Sequence, residues 1–355
     1  MTARGLGKLR RVAGRLGGRL DGEVLILLYH RVDTLKSDPW GLAVTPGRFA
    51  EHLEVLRQHA RPMQLRELSQ GLRDGRLPER SVVVTFDDGY ADNLHNAKPL
   101  LERHDIPATV FVASGFVGHK GEFWWDELGR LLLRPGVLPG ILRLSVDGNM
   151  HRWELGAAAH YTVEEFRRHR GWRAWKVSPT PRHSLYISLC DLLRPISEAE
   201  RQGKLNELRG WVVAAPERRP NHRPLSCREI GKLDQGGLVE VGAHTVTHPV
   251  LSALPQVSQR SEIEESKARL EKVSDCPVTS FAYPYGKPRD YTAETVDIVR
   301  RAGFGCACSS FAGVVGRSSD RFQLPRVYVR NWDGDRLAQR LGTWFDGERA
   351  CIRGR

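Results

Sequence analysis

Seven short apolar runs punctuate this chain, at positions 24–29, 82–86, 108–112, 239–243, 278–283, 304–308 and 326–329. Their hydrophobicity is largely continuous rather than alternating, as in strands buried on both faces. Between several of them the apolar positions shift to a helical period. Thr45-Pro46 supplies a capping side chain and a first-turn proline for a helix through Phe49, Leu53 and Leu56. Residues 259–273 predict a charged surface helix with Ile263 and Leu270 turned inward, and residues 292–302 a helix stopped by Gly303. Strand–helix alternation of this kind predicts an α/β fold around a parallel sheet, open or closed into a barrel.

One stretch breaks the rhythm. From about 127 to 224 no convincing strand pair is visible, while Trp153, Trp172, Trp175, Tyr186, Leu189, Leu192, Leu193 and Leu208 provide apolar bulk. This predicts a mostly helical insertion between two barrel strands, with Pro179, Pro181, Pro216, Pro220 and Pro224 marking its irregular parts. The chain thus divides into an arm, 1–22, and one barrel domain, 23–355, interrupted at about 127–224.

The arm carries Arg4, Lys8, Arg10, Arg11, Arg15 and Arg19 with no acid before Asp21. Leu6, Leu9, Ala13, Leu16 and Leu20 recur at helical spacing, which would suit an amphipathic helix on an anionic membrane surface. Gly5, Gly7, Gly14 and Gly17 each oppose that helix by about 1 kcal/mol relative to alanine, so a solvated basic arm is the competing expectation. The whole chain of 355 residues has a net charge of +12 and 40% hydrophobic residues. That composition excludes a disordered polymer and favours anionic partners. Nucleic acid is the least favoured of these, because no recognition motif accompanies the charge. Six cysteines lack any C-x-x-C spacing, and Cys306 and Cys308 share one face of a strand. Reduced thiols are expected. No run reaches the roughly 18 apolar residues of a membrane span, and no signal-peptide core is visible, which predicts a cytoplasmic location, with the arm allowing peripheral contact at the inner membrane face.

Chemically capable side chains gather where four of the strands end, the face on which parallel α/β folds place function. His30 follows the first run, Asp87-Asp88 the second, His244 and His248 the fourth, and Tyr283-Pro284-Tyr285-Gly286 the fifth. Alone, an Asp-Asp-Gly is more often a turn, and a His-x-x-x-His more often two surface histidines. Together they offer three metal ligands and a spare carboxylate. Two imidazoles and one carboxylate suit zinc or another divalent transition metal. The second carboxylate is then free to take a proton from an attacking water, and a histidine to protonate a leaving amine. The kit is sufficient to hydrolyse an amide or an ester. Phe123-Trp124-Trp125-Asp126 would either stack on sugar rings or anchor the insertion, and packing is the commoner use of such clusters.

These residues resemble the polysaccharide deacetylases of carbohydrate esterase family 4, which include chitin, peptidoglycan and poly-N-acetylglucosamine deacetylases. The family's TFDDG motif stands here as Thr85-Phe86-Asp87-Asp88-Gly89, and its H-[ST]-x-x-H motif as His244-Thr245-Val246-Thr247-His248. The resemblance covers roughly 24–126 and 225–335. It implies a distorted (β/α)7 TIM-like barrel, Asp87 as catalytic base, and Asp88, His244 and His248 as metal ligands. It also implies hydrolysis of the acetyl group of an N-acetylated, less readily an O-acetylated, sugar or saccharide, lipid-linked if the arm meets a membrane.

Two departures stand out. The third motif, R-x-P-Y-G, here begins with Ala282, so its arginine is absent. Arg326 is the candidate replacement, and Tyr285 still offers a backbone N–H to an oxyanion. The late L-x-H motif is also missing, since no histidine follows His248. Tyr29-His30 matches the early Y-H pair of the poly-N-acetylglucosamine branch, which makes His30 the candidate acid. A catalytically silent carbohydrate-binding protein on the same fold, and a surface binder acting through its basic arm, are the alternatives.

Overall fold

The computed structural model describes residues 23–212 and 218–345. Seven strands of one parallel sheet carry the architecture: β1 (Val24–Tyr29), β2 (Ser81–Phe86), β3 (Ala108–Val112), β4 (Val239–Ala243), β5 (Ser280–Ala282), β6 (Cys306–Cys308) and β7 (Val327–Tyr328). They run in the order β6-β5-β4-β3-β2-β1-β7, with a short extra strand, Arg61–Pro62, beside β2. Sequential neighbours therefore pair from β1 to β6, and β7 returns to β1. The sheet curls into an α/β barrel whose seam lies between β6 and β7, where no strand ladder forms among the described residues and a bridge links Cys308 to Leu324.

Both faces of the strands are covered, which accounts for the unbroken apolar runs. Along β1, Val24 and Ile26 join Val83, Phe111, Ala282, Cys306 and Cys308 in one cluster. Leu25, Leu27 and Tyr29 point the other way, against the helices. Each fully buried aliphatic or aromatic side chain of this kind contributes about 1.5–3 kcal/mol relative to exposure. Helix α1 (Pro46–His59) starts at Thr45, whose hydroxyl accepts from the Arg48 amide, and buries Phe49, Leu53 and Leu56.

The insertion has its own core and adds helices α2 (Trp124–Leu132), α3 (Pro181–Leu193) and α4 (Glu198–Trp211). Leu128, Leu131, Leu185, Leu189, Leu205 and Leu208 pack together there. It also contains a strand pair that the sequence reading passed over: an antiparallel hairpin, Ile141–Val146 with Asn149–Glu154. Leu142, Leu144 and Val146 are buried while Ile141 and Arg143 are exposed, so the strand alternates. Asp147 and Gly148 both have positive φ, 49° and 74°, as a two-residue turn of this kind requires. Pro181, read as a mark of irregularity, instead opens α3 at its first turn. Helix α5 (Gln256–Ser274) lies against β4 and completes the frame of the site.

Among the described residues no helix is long and apolar enough to cross a membrane. Cys190, Cys227, Cys276, Cys306 and Cys308 are free thiols. The basic arm expected at 1–22 and Cys351 fall outside the described residues.

Candidate active site

The second strand delivers two acids with different partners. The Asp87 amide donates to the Tyr29 carbonyl, 3.1 Å, which continues the β1–β2 ladder up to the acid. The chain then turns sharply: Asp88 has φ 74° and Gly89 φ 81°. A side chain at Gly89 would sit 3.0 Å from Val112 Cγ1, so the turn needs a glycine on both conformational and steric grounds. The histidine segment and the third motif are held similarly, with φ of 64° at Thr245, 56° at His248 and 59° at Tyr285. Half of the eight described non-glycine residues with positive φ thus gather here, the kind of concentration seen at functional sites.

Asp88, His244 and His248 converge. One donor atom from each lies within 4.8 Å of the others, and all three residues are buried. His248 Nε2 and His244 Nε2 approach Asp88 Oδ1 at 3.4 and 3.7 Å. Burial keeps both imidazoles below their usual pKa, so they present lone pairs and not ammonium-like charge. His244 Nδ1 donates to the Ala282 carbonyl at 2.8 Å, which leaves Nε2 as the inward lone pair. The loop between the histidines is fixed from α5: Glu262 accepts the Val246 and Thr247 amides, each at 2.8 Å, and the Thr247 hydroxyl at 2.6 Å.

Burial and the neighbouring Asp87 and Asp126 charges push Asp88 well above the usual carboxylate range. A buried carboxylate in that position, facing two neutral imidazoles, is a site short of positive charge. The donor set fits a divalent ion of zinc type.

Asp87 has what Asp88 lacks. Arg326 forks onto it, Nη1 to Oδ1 and Nη2 to Oδ2, both at 2.7 Å. The same guanidinium donates to the Thr85 hydroxyl at 3.2 Å and, through Nε, to the Ser309 carbonyl at 2.7 Å. Burial opposes the Asp87 charge, but the Arg326 guanidinium overrides it and holds the carboxyl below its ordinary value. The charge beside Asp87 therefore comes from residue 326, while Ala282 stands at the head of the third motif.

Tyr285 packs edge-on to His248, with ring centroids 4.8 Å apart. Its amide has no acceptor among the described residues. The Arg194 guanidinium, at the C-terminal end of α3, lies 4.0 Å over the Tyr285 ring and is itself tied to Asp290 at 2.6 Å. His30 is half-buried and stacks on Tyr328, with centroids 5.8 Å apart. Burial, opposed by Asp87 and assisted by Arg326, lowers its pKa to about 4.

All seven singled-out residues belong to one neighbourhood, linked by contact or by charge. Sequence reasoning missed Thr85, Glu262, Arg194 and the Ala282 carbonyl as its supports. Only Thr85 and Ala282, inside the first and third motifs, carried any local signal. The aromatic cluster after β3 anchors the insertion through Phe123, Trp124 and Trp125. Trp125 does more: it packs on His248 at 5.1 Å and donates to the Tyr90 hydroxyl at 2.8 Å.

A strand-end cluster of this composition on a seven-stranded α/β barrel is a candidate metal-binding hydrolase site. The family model for polysaccharide deacetylase matches residues 74–139 and 221–307. YxkH of Bacillus subtilis, a protein assigned to the polysaccharide deacetylases, is 34% identical over 306 residues, 86% of this chain and 70% of its own length. The chain belongs to the polysaccharide deacetylase family. The poly-β-1,6-N-acetyl-D-glucosamine N-deacetylase of Staphylococcus aureus is 34% identical over 100 residues, 28% of this chain and 34% of that enzyme. Among solved structures, the Streptococcus pyogenes deacetylase PplD, in complex with acetate, aligns with a TM-score of 0.56 at 17% identity, covering 90% of this chain and 98% of its own. IcaB from Ammonifex degensii aligns with a TM-score of 0.55 at 22% identity, covering 91% and 97%. These two likenesses establish the fold.

Proposed function

We propose that the chain removes the acetyl group from an N-acetylated saccharide, using a divalent metal, with zinc the best fit to its donors. The observation that carries this reading is the division of labour between adjacent acids: Asp87 engaged by Arg326, Asp88 facing two neutral imidazoles. Asp88, His244 and His248 would hold the ion. Bound there, the ion would supply a Lewis acid that acidifies water and polarises the acetyl carbonyl. Asp87, ionised and locked in place by Arg326, accepts the proton of the attacking water. The Tyr285 amide donates to the oxygen on which negative charge develops. His30 is neutral at pH 7, so it gains a proton before passing one to the leaving nitrogen, and Asp87 holds the proton it needs.

The staphylococcal relative's substrate, poly-β-1,6-N-acetyl-D-glucosamine, makes N-acetylglucosamine oligomers the first compounds to test. The absent third-motif arginine was the ground for a silent binding protein, and the Arg326 fork weakens it. Acetate release from such oligomers, abolished by a chelator and restored by zinc, is the expected result. Asp87→Asn should abolish turnover yet retain metal by elemental analysis, while His244→Ala should lose the metal itself. Asp87→Asn with near-normal rates would remove the proposed base.

A further inference from the structure

A second concavity adjoins the reaction centre and shares a wall with it. It encloses about 320 Å³ between the segment 34–42, helix α2 and the segment 218–222. That is at the lower end of the range of small-molecule pockets, ~300–1,000 Å³. Trp125 and Asp126 line it. Trp125 is also the ring against His248, and the Asp126 charge is felt at Asp88. No step of the proposed reaction uses this space.

Its charge is lopsided. Among the described residues, five cationic side chains and two carboxylates line it. Both carboxylates are already engaged. Asp38 accepts the Leu42 and Ala43 amides at 2.9 and 3.1 Å, and Asp126 accepts the Tyr90 hydroxyl at 2.7 Å. Among the cations, Arg219 is matched by Glu122 at 2.7 Å. Lys36, Arg134 and Arg218 have no carboxylate within ion-pair distance among the described residues.

The fifth cation, Arg31, is 1% exposed. Its Nε donates to Asp92 at 2.9 Å, its Nη2 to the Asn221 carbonyl, and its plane covers the Tyr90 ring. Its Nη1 has no acceptor. Asp92 and Asp33 balance the charge, at 2.9 and 3.5 Å, but a buried N–H without an acceptor is destabilising, and a ligand oxygen would relieve it. A guanidinium with a spare N–H and an ammonium without an ion-pair partner, lining one cavity, are the chemistry that holds phosphate or carboxylate. Trp40 adds an aromatic face suited to the apolar side of a sugar ring.

We propose that this cavity is an anion-recognising subsite, taking a phosphate or carboxylate carried by the saccharide next to the acetylated sugar. The inference rests on the deacetylase reading and specifies its substrate: an anionic glycan rather than a neutral one. Trp125, which lines the cavity and packs on His248, joins this subsite to the reaction centre.

The test uses matched N-acetylglucosamine oligosaccharides: neutral, phosphate-bearing and glucuronate-bearing. With metal-loaded enzyme, kcat/KM should be at least tenfold higher for one or both charged forms, chiefly through KM. The two charged arms distinguish the anions. Lys36→Gln combined with Arg134→Gln should collapse that preference towards unity. Calorimetric titration with glucose 1-phosphate, glucuronate and inorganic phosphate gives a readout independent of turnover. The first or second should bind the parent protein and lose at least tenfold in affinity in the double variant. Binding of inorganic phosphate alone, or equal kcat/KM for charged and neutral oligomers, overturns the subsite while leaving the deacetylase reading intact. Failure to deacetylate any of the three overturns that reading instead, and the titrations still decide whether the cavity binds a sugar anion.

Discussion

Arg326 and Asp87 stand 239 positions apart in the chain and meet as a two-pronged ion pair, with both nitrogen–oxygen separations at 2.7 Å. Such a fork fixes the plane of the carboxylate as well as its charge, so the proposed base is held in one orientation. Arg326→Lys keeps the charge and loses the fork. It should lower kcat by about 10²-fold with little change in KM. Arg326→Met leaves Asp87 buried and unpaired, which typically costs about 3–5 kcal/mol. Chemical denaturation of the two variants separates these effects: a lysine variant as active as the parent would mean that charge alone suffices.

Arg194 reaches the site from the insertion. Its guanidinium covers the Tyr285 ring at 4.0 Å and is anchored by Asp290 at 2.6 Å. Tyr285 sits at φ 59°, a conformation that its surroundings must hold. Arg194→Gln should loosen that turn and reduce kcat several-fold while the metal content stays unchanged. Unaltered kinetics would make the contact a packing detail.

Gly115 touches the histidine loop from below. A side chain there would meet the Val246 carbonyl at 2.6 Å, the atom to which the Gly115 amide donates at 2.8 Å. Gly115→Ala should therefore displace the segment between the two ligands, with overpacking of about 1–3 kcal/mol. Metal affinity should fall with stability. A variant with parental melting and parental zinc affinity would show that the loop yields freely.

His183 lies in the insertion core, where its Nδ1 pairs with the Thr180 hydroxyl at 2.8 Å. Burial, then the His169 and Arg182 charges, lower its pKa from 6.5 to about 4. Between those values the unfolded chain binds a proton that the native state refuses. Stability should fall as pH drops from 6.5 towards 4, with no contribution above that window. His183→Asn should flatten this part of the stability–pH curve. An identical slope in parent and variant would place the acid sensitivity elsewhere.

The barrel was readable from the chain because buried parallel strands need unbroken apolar runs. Residues 24–29, 108–112 and 239–243 match strands end for end. The later runs shorten to Ser280–Ala282, Cys306–Cys308 and Val327–Tyr328, because apolar residues continue into the loops that cap the barrel. The 141–154 hairpin was overlooked although its signal was present: Asp147-Gly148 between alternating apolar positions. One polar strand, Asn149–Glu154, hid it. In the site, the motif-bearing residues could be named in advance because their chemistry is tied to local spacing. Glu262 and Arg194 could not be, because they act across the fold, one from the face of a helix and the other from the end of one, and no neighbour in the sequence marks them out. The unmatched Nη1 of Arg31 is likewise a property of packing alone.

The ring of strands is weakest at its seam, and Arg326 lies across it. Its Nε reaches the Ser309 carbonyl just past β6 while its own backbone leads into β7, and its amide donates to Phe311 at 3.0 Å. One side chain thus both ties β6 to the entry of β7 and holds the Asp87 carboxylate. A substitution at Arg326 should therefore disturb the joining of β6 to β7 and the setting of Asp87 together.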